Sequence, residues 1–229
     1  MVTEIQGHFS AVLFEWRGTL FYDESDDAWI RASAASIGRR LSDEEVNAIV
    51  RTVAVAADHP EVVAARQRAD CSRELHEAAT LLQFRLAGLD EDLARAILER
   101  DGNVAATMPY TDTRTTLETL RSRGLRIGVI SNIHYELGPH FQYYGLDGYV
   151  DAFTLSFQHG YQKPDRRLFA EALCALGADP GETLMVGNNP ALDGGAVRAG
   201  IPTLILPRVA NSGPRGFESV LSITGCIDA

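Results

Sequence analysis

The residues best equipped for chemistry begin with Glu15 and Arg17. They are a carboxylate and a guanidinium two positions apart, just after the apolar run Ala11-Val12-Leu13-Phe14. Trp16 lies between them, and Gly18-Thr19-Leu20 follows. Arg17 cannot be a general acid, because a guanidinium does not release its proton in a protein. Glu15 can be a base, a nucleophile or an ion-pair partner. Further along the chain come Ser131-Asn132, Lys163-Pro164-Asp165, Gly187-Asn188-Asn189 and Asp193. Whether these groups act together depends on the elements that carry them.

Residues 10–15 read as a buried strand, a short apolar run followed by a Gly-Thr turn. From about residue 23 to 108 the chain is rich in Ala, Arg, Glu and Leu at helical spacing, with almost no strand signal. Ser42-Asp43-Glu44-Glu45 fits a capping box that opens a helix to about residue 56. Residues 72–87 and 90–100 read as two more amphipathic helices. After Pro109 strands and helices alternate, with strands at 125–130, 152–155, 183–186 and 203–206. The helices between them are expected at 113–123, 135–144, 166–176 and 191–199. This alternation predicts a parallel sheet with helices on both faces and a binding site at the carboxyl ends of the strands. The expected class is α/β. Residues 1–21 and 109–229 would form a three-layer Rossmann-like core, and residues 22–108 a helical cap inserted after the first strand.

Four strand-end segments, taken in order, resemble the motifs of the haloacid dehalogenase superfamily. Glu15-Trp16-Arg17-Gly18-Thr19-Leu20 resembles its first motif, Asp-x-Asp-Gly-Thr-Leu. Ser131-Asn132 resembles the second, and Gly160-Tyr161-Gln162-Lys163-Pro164-Asp165 the third. The stretch from Gly187-Asn188-Asn189 through Asp193 to Gly195-Ala196 resembles the fourth, Gly-Asp-x4-Asp-x2-Gly-Ala. The position of the insert is similar to that of the helical-cap subfamily, which includes phosphatases, phosphonatases and 2-haloacid dehalogenases. The resemblance implies that position 15 is the nucleophile's place and position 17 the acid/base of the phosphatases. It further implies that Ser131 holds an oxygen of the transferred group, with Lys163 neutralising nucleophile and anion. Position 188 would ligate Mg2+. Glu15, Arg17, Lys163 and Asp193 are thus the catalytic candidates, with Trp16, Gly18, Thr19, Ser131, Asn132, Asn188 and Asn189 as substrate-binding candidates.

Three of these positions depart from the pattern. Glu15 keeps the charge of aspartate but moves it outward by about 1.3 Å, and a misplacement of about 1 Å can cost on the order of 100-fold in rate. Arg17 replaces an acid, and Asn188 replaces a metal-ligating carboxylate with a neutral amide. Glu15 and Asp193 are balanced by Arg17 and Lys163, so a strongly negative site becomes neutral. A dication near Arg17 would meet repulsion of roughly 4 kcal/mol per unit charge at 4 Å and an effective dielectric of about 20. The expectation is a site without Mg2+, in which an inward-pointing Arg17 takes over part of the metal's role.

Four functions follow. The leading one is a metal-independent anion site that acts on a phosphorylated, sulfated or similar small metabolite by displacement or elimination, with Glu15 as base. The others are a Mg2+-dependent phosphatase with Glu15 as a weak nucleophile, a non-catalytic binding or regulatory protein, and a 2-haloacid dehalogenase. The last would want a cap arginine, for which Arg31, Arg39 and Arg40 are candidates. Each site residue also has a plainer structural reading. In that reading Glu15 only pairs with Lys163, Arg17 with Asp23 or Glu24, and Asp193 only orients Lys163. Trp16 is either cap packing or a substrate wall. His134 and His159 are read as exposed loop histidines.

The formal charge of −10 argues against a nucleic-acid or anionic-membrane surface, which rewards clustered Lys and Arg. Three widely spaced cysteines read as reduced thiols. With neither a signal-like amino terminus nor an 18-residue apolar stretch, a cytoplasmic protein is expected. The expected partner is a small anionic metabolite, and a homodimer or a protein partner is compatible with the sequence.

Overall fold

In a computed structural model that describes residues 9–207, 209 and 212–227, the apolar run before Glu15 forms β1 (Ala11–Phe14), buried along its length. It is the centre of a five-stranded sheet that also holds β4 (Arg126–Ser131), β5 (Ala152–Leu155), β6 (Thr183–Gly187) and β7 (Thr203–Ile205). The order is β5-β4-β1-β6-β7, and every pairing is parallel. Phe14 stands opposite Val129 on one side and Val186 on the other. The chain therefore builds outward in both directions from β1. The crevice beyond its carboxyl end is the switch point where such sheets bind ligands.

Alternate residues of β1 feed opposite layers, as the two-residue period of a strand requires. Val12 and Phe14 pack with Leu117 and Leu120 of α6 (Thr113–Ser122), Phe141 of α7 (Gly138–Tyr143) and Val220 of α10 (Glu218–Ile223). Ala11 and Leu13 pack with Leu168, Phe169 and Ala172 of α9 (Arg166–Leu176). Burial of each large apolar side chain contributes about 1.5–3 kcal/mol. The core is a three-layer α/β Rossmann-like fold. A short helix, α8 (Ser156–His159), follows β5 directly.

The insert carries α1 (Asp26–Ser36), α2 (Asp43–Ala57), α3 (Pro60–Arg66), α4 (Arg73–Leu86) and α5 (Glu91–Arg100). The Ser42 hydroxyl accepts from the Glu45 amide and the Glu45 carboxylate from the Ser42 amide, so the capping box forms. Ile30, Val46, Phe84, Leu93 and Ile97 make a separate small core. The chain enters and leaves this layer through an antiparallel ribbon, β2 (Phe21–Asp23) against β3 (Thr107–Pro109). Strands of three residues are too short to show a period, which is why none was expected there.

Two core helices differ from expectation. The segment after Asn189 is a 3-10 helix over Asp193–Ala199, where the pair Gly194-Gly195 disfavours an α-helix. The helix expected from residue 135 begins only at Gly138, with Pro139 in its first turn. All three cysteines are free thiols, Cys174 exposed and Cys71 and Cys226 buried. Among the described residues no helix is long and apolar enough to cross a membrane.

Candidate functional site

Beyond the carboxyl end of β1 the sheet brings Glu15, Ser131, Lys163 and Asp193 into one buried cluster. Lys163 is fully buried, and its Nζ donates to Asp193 Oδ1 at 2.6 Å, to the Ile130 carbonyl at 3.3 Å and to Glu15 Oε2. Burial pushes the Lys163 ammonium below its ordinary value, and Asp193 offsets only part of that. Asp193 turns its other oxygen to the Asn188 and Asn189 amides, both at 2.9 Å. It comes this close to β6 because residue 187 is glycine: a Cβ there would lie 2.3 Å from Asp193 Oδ2. Asp193 thus orients Lys163 and also holds the loop after β6.

Glu15 fills the middle of the cluster. Its Oε1 accepts from the Ser131 hydroxyl and the Trp16 amide, both at 2.7 Å. Three donors therefore converge on one carboxylate: the Ser131 hydroxyl, which the family resemblance assigned to the transferred group, the Lys163 ammonium, which it assigned to nucleophile and anion together, and the Trp16 amide.

The remaining substrate-binding candidates do structural work. Trp16 is fully buried, its ring edge-on to Tyr135 and His140, so it packs within the main core rather than facing a ligand. The Gly18 amide donates to the Phe21 carbonyl and the Thr19 amide to the Trp16 carbonyl, so neither is available to an anion. Asn188 closes over Gly18, whose φ of 79° and missing Cβ make room for its amide group. Asn132 clamps the Lys163 backbone, accepting from its N–H at 2.8 Å and donating to its carbonyl at 3.1 Å. Asn189 caps the following turn through the Ala191 amide.

Arg17 corrects the expectation that it takes over a metal's role. Its guanidinium points to the cap, donating to Asp101 Oδ1 and to the Tyr135 hydroxyl at 2.8 Å each, with Asp23 at 3.3 Å. It also lies over the Trp16 ring, 4.9 Å from the centroid. Burial alone would lower its pKa, but Asp101, Tyr135 and Asp23 overcome this and hold it above its ordinary value. Asp101 is likewise opposed by burial, yet Arg17 brings its carboxyl below the usual range. Two core residues and two acids of the ribbon and cap thus form one latch. Beside it a cavity of about 320 Å³ is lined by Trp29, Ile30, Ile49, Phe84 and Ile97, with Asp23 and Arg17 at its edge.

Other expectations also change. Arg31 bonds the Leu41 carbonyl and Asp43, and Arg39 bonds Asp90 and Asp92, so both are tied to the cap surface. His134 is buried rather than exposed. Asp70, His76 and Asp101, which meet His134 and Arg17 from the insert, and Tyr135 of the core were not singled out from the sequence, because only folding brings insert and core together.

The donor set does not fit Mg2+. Asn188 offers a neutral amide, which itself lies over Gly18, and the Lys163 ammonium stands between the remaining carboxylates, Glu15 and Asp193. A hard dication needs several free oxygens with nearly octahedral geometry.

A sequence profile of haloacid dehalogenase-like hydrolases matches residues 9–200. The chain belongs to this family. Among the relatives of this haloacid dehalogenase-like chain is the glyceraldehyde 3-phosphate phosphatase of Methanothermobacter thermautotrophicus, 36% identical over 104 residues, or 44% of this chain and 46% of the relative. The (S)-2-haloacid dehalogenase 4A of Burkholderia cepacia is 32% identical over 103 residues, or 44% of this chain and 45% of the relative. The matches thus span about half the length of the curated relatives. Among solved structures, a haloacid dehalogenase-type phosphatase from Thermococcus onnurineus superposes with a TM-score of 0.62. It is 21% identical, covering 96% of this chain and all of that one, and so speaks for the fold.

Proposed function

We propose that this chain is a haloacid dehalogenase-fold protein whose anion seat is occupied by its own Glu15 carboxylate. It would work without Mg2+, as a binding or regulatory protein rather than by displacement at residue 15. One observation carries this reading: Glu15 Oε1 takes both the Ser131 hydroxyl and the Trp16 amide, while Oε2 takes Lys163. A substrate anion would have to displace a covalently tethered carboxylate from these donors. As a nucleophile or base, Glu15 would have to free one oxygen, giving up either the ammonium on Oε2 or the two hydrogen bonds on Oε1, each bond to a charged group contributing about 1.5–3 kcal/mol.

The test is turnover at high protein concentration of p-nitrophenyl phosphate, a panel of small phosphate monoesters and 2-chloropropionate, with Mg2+ and with chelator. The expected result is no turnover in either condition, and no thermal shift with phosphate or sulfate. Turnover that needs both Mg2+ and Glu15 overturns the reading.

A second reading is retained hydrolysis of a phosphate ester. The phosphatases among the relatives favour it, as does the intact Ser131, Lys163 and Asp193 frame. It requires Glu15 to leave the seat on substrate binding, and the same assays decide between the two.

A further inference from the structure

His76, on α4 of the cap, and His134, after β4 of the core, lie face to face with ring centroids 3.5 Å apart and planes inclined by 14°. The two Nε2 atoms approach one oxygen, Asp101 Oδ2, at 3.6 and 3.7 Å. In nearly parallel rings this turns both Nδ1 atoms the other way, where Asp70 stands. Asp70 Oδ1 is 2.8 Å from His76 Nδ1. The donor atoms of Asp70, His76 and His134 all lie within 4.8 Å of one another.

Three further observations bear on this seam. His134 is 8% exposed, and its buried Nδ1 has no hydrogen-bond partner, although a buried polar atom without one costs about 1–3 kcal/mol. The local charge is negative: three carboxylates, Asp23, Asp70 and Asp101, face two guanidiniums, Arg17 and Arg66. Finally, a cavity of about 310 Å³ lined by His134, Tyr135, Arg73 and Glu77 lies beside the pair.

We propose that Asp70, His76 and His134 form a binding site for a zinc-type dication that joins cap to core. Two neutral imidazoles and a carboxylate are the donors such an ion prefers, with a fourth position open to solvent. Asp101 does not touch the ion. Its Oδ2 stands behind both rings, 3.6 and 3.7 Å from their Nε2 atoms, and on ion binding takes the Nε2–H of each, as carboxylates behind metal-bound histidines do. Donors around a tetrahedral zinc stand about 3.4 Å apart, given Zn–N near 2.1 Å. Binding therefore draws the three donors together and rotates the rings out of their stack. The ion adds two positive charges to a seam with excess negative charge, and its protein ligands come from both layers.

The experiment uses the full chain, stripped with chelator and titrated with Co2+ and Zn2+ at pH 7.5. Absorption in the visible d–d region and the thermal midpoint are followed. The expected result is one equivalent of Co2+ with the strong bands of a low-coordinate site, displaced by Zn2+, and a raised midpoint with either ion. His76→Ala and His134→Ala abolish both signals, while His159→Ala keeps them. Asp101→Asn retains the bands but weakens affinity about 10- to 100-fold. Asp70→Asn, at the half-exposed position, covers the case in which a buried variant does not fold. The proposal is overturned if folded wild-type protein shows no stoichiometric band. It is also overturned if His76→Ala or Asp70→Asn binds as wild type does.

Discussion

The Ser131 hydroxyl donates to Glu15 Oε1 across 2.7 Å, joining the end of β4 to the residue after β1 inside the site. In a haloacid dehalogenase-type site that hydroxyl belongs to the substrate. The extra methylene of glutamate relative to aspartate carries the residue 15 carboxylate farther toward that hydroxyl and the Lys163 ammonium.

Shortening that side chain should empty the seat. In Glu15→Asp the Ser131 hydroxyl and Trp16 amide lose their intramolecular acceptor. Sulfate or phosphate should then raise the melting temperature of the variant but not of the wild type, by up to about 2.7 kcal/mol of stabilisation at a hundredfold excess over Kd. Adding Asn188→Asp restores a second carboxylate and should introduce weak Mg2+ binding, measurable by calorimetry. A sulfate shift of equal size in the wild type would count against a self-filled seat.

Lys163 should matter more for stability than any exposed charge. Lys163→Met leaves the Glu15 and Asp193 carboxylates buried without their shared cation, and breaking such a pairing costs about 3–5 kcal/mol. Urea denaturation should show the loss, and Glu15→Gln in the Lys163→Met background should recover part of it. Equal stability of Lys163→Met and wild type would show that the cluster is not held by charge.

Arg17 should act as a latch. Arg17→Ala removes the hydrogen bond to Asp101 and should cost about 1–3 kcal/mol. A double-mutant cycle with Asp101→Asn should show that the two losses are not additive, and limited proteolysis should cut the cap more readily. If the two single losses simply add, the pair is not coupled.

His140 supplies a pH dependence apart from the histidine pair. It is buried between Trp16 and Tyr135, and neither ring nitrogen meets a partner at hydrogen-bonding geometry. Burial pushes its pKa below 6.5, Arg17 adds to this, and Asp101 works against it. The unfolded chain then binds the proton more readily than the folded one. The neutral ring is fully accommodated above 6.5, and stability falls as pH drops through 6.5 toward the depressed folded value. With chelator present, His140→Phe should flatten that part of the profile in chemical denaturation, and an unchanged profile would exclude His140 as its source.

Most of the core was legible because its signals are local. A buried run followed by Gly18-Thr19, and strands spaced by amphipathic helices, report the sheet without knowledge of contacts. The departures from the family pattern were visible as residue types at 15, 17 and 188. Side-chain direction was not. Arg17 pairs with Asp101, 84 positions away, and Glu15 bends onto Ser131, 116 positions away. Such choices depend on which donors the folded chain leaves unpaired. The His76–His134 stack escaped for the same reason, since the partners belong to different layers and no spacing rule links them.

The antiparallel pairing of Phe21–Asp23 with Thr107–Pro109 places both ends of the helical insert side by side, as neighbouring strands about 4.8 Å apart are. The insert leaves the core and returns to it at a single point, like a cutting on a rootstock. Another layer whose ends meet the same three-residue register could be grafted there with the parallel sheet undisturbed. The new layer would lose the latch to Arg17 unless it brought an acid to the place of Asp101.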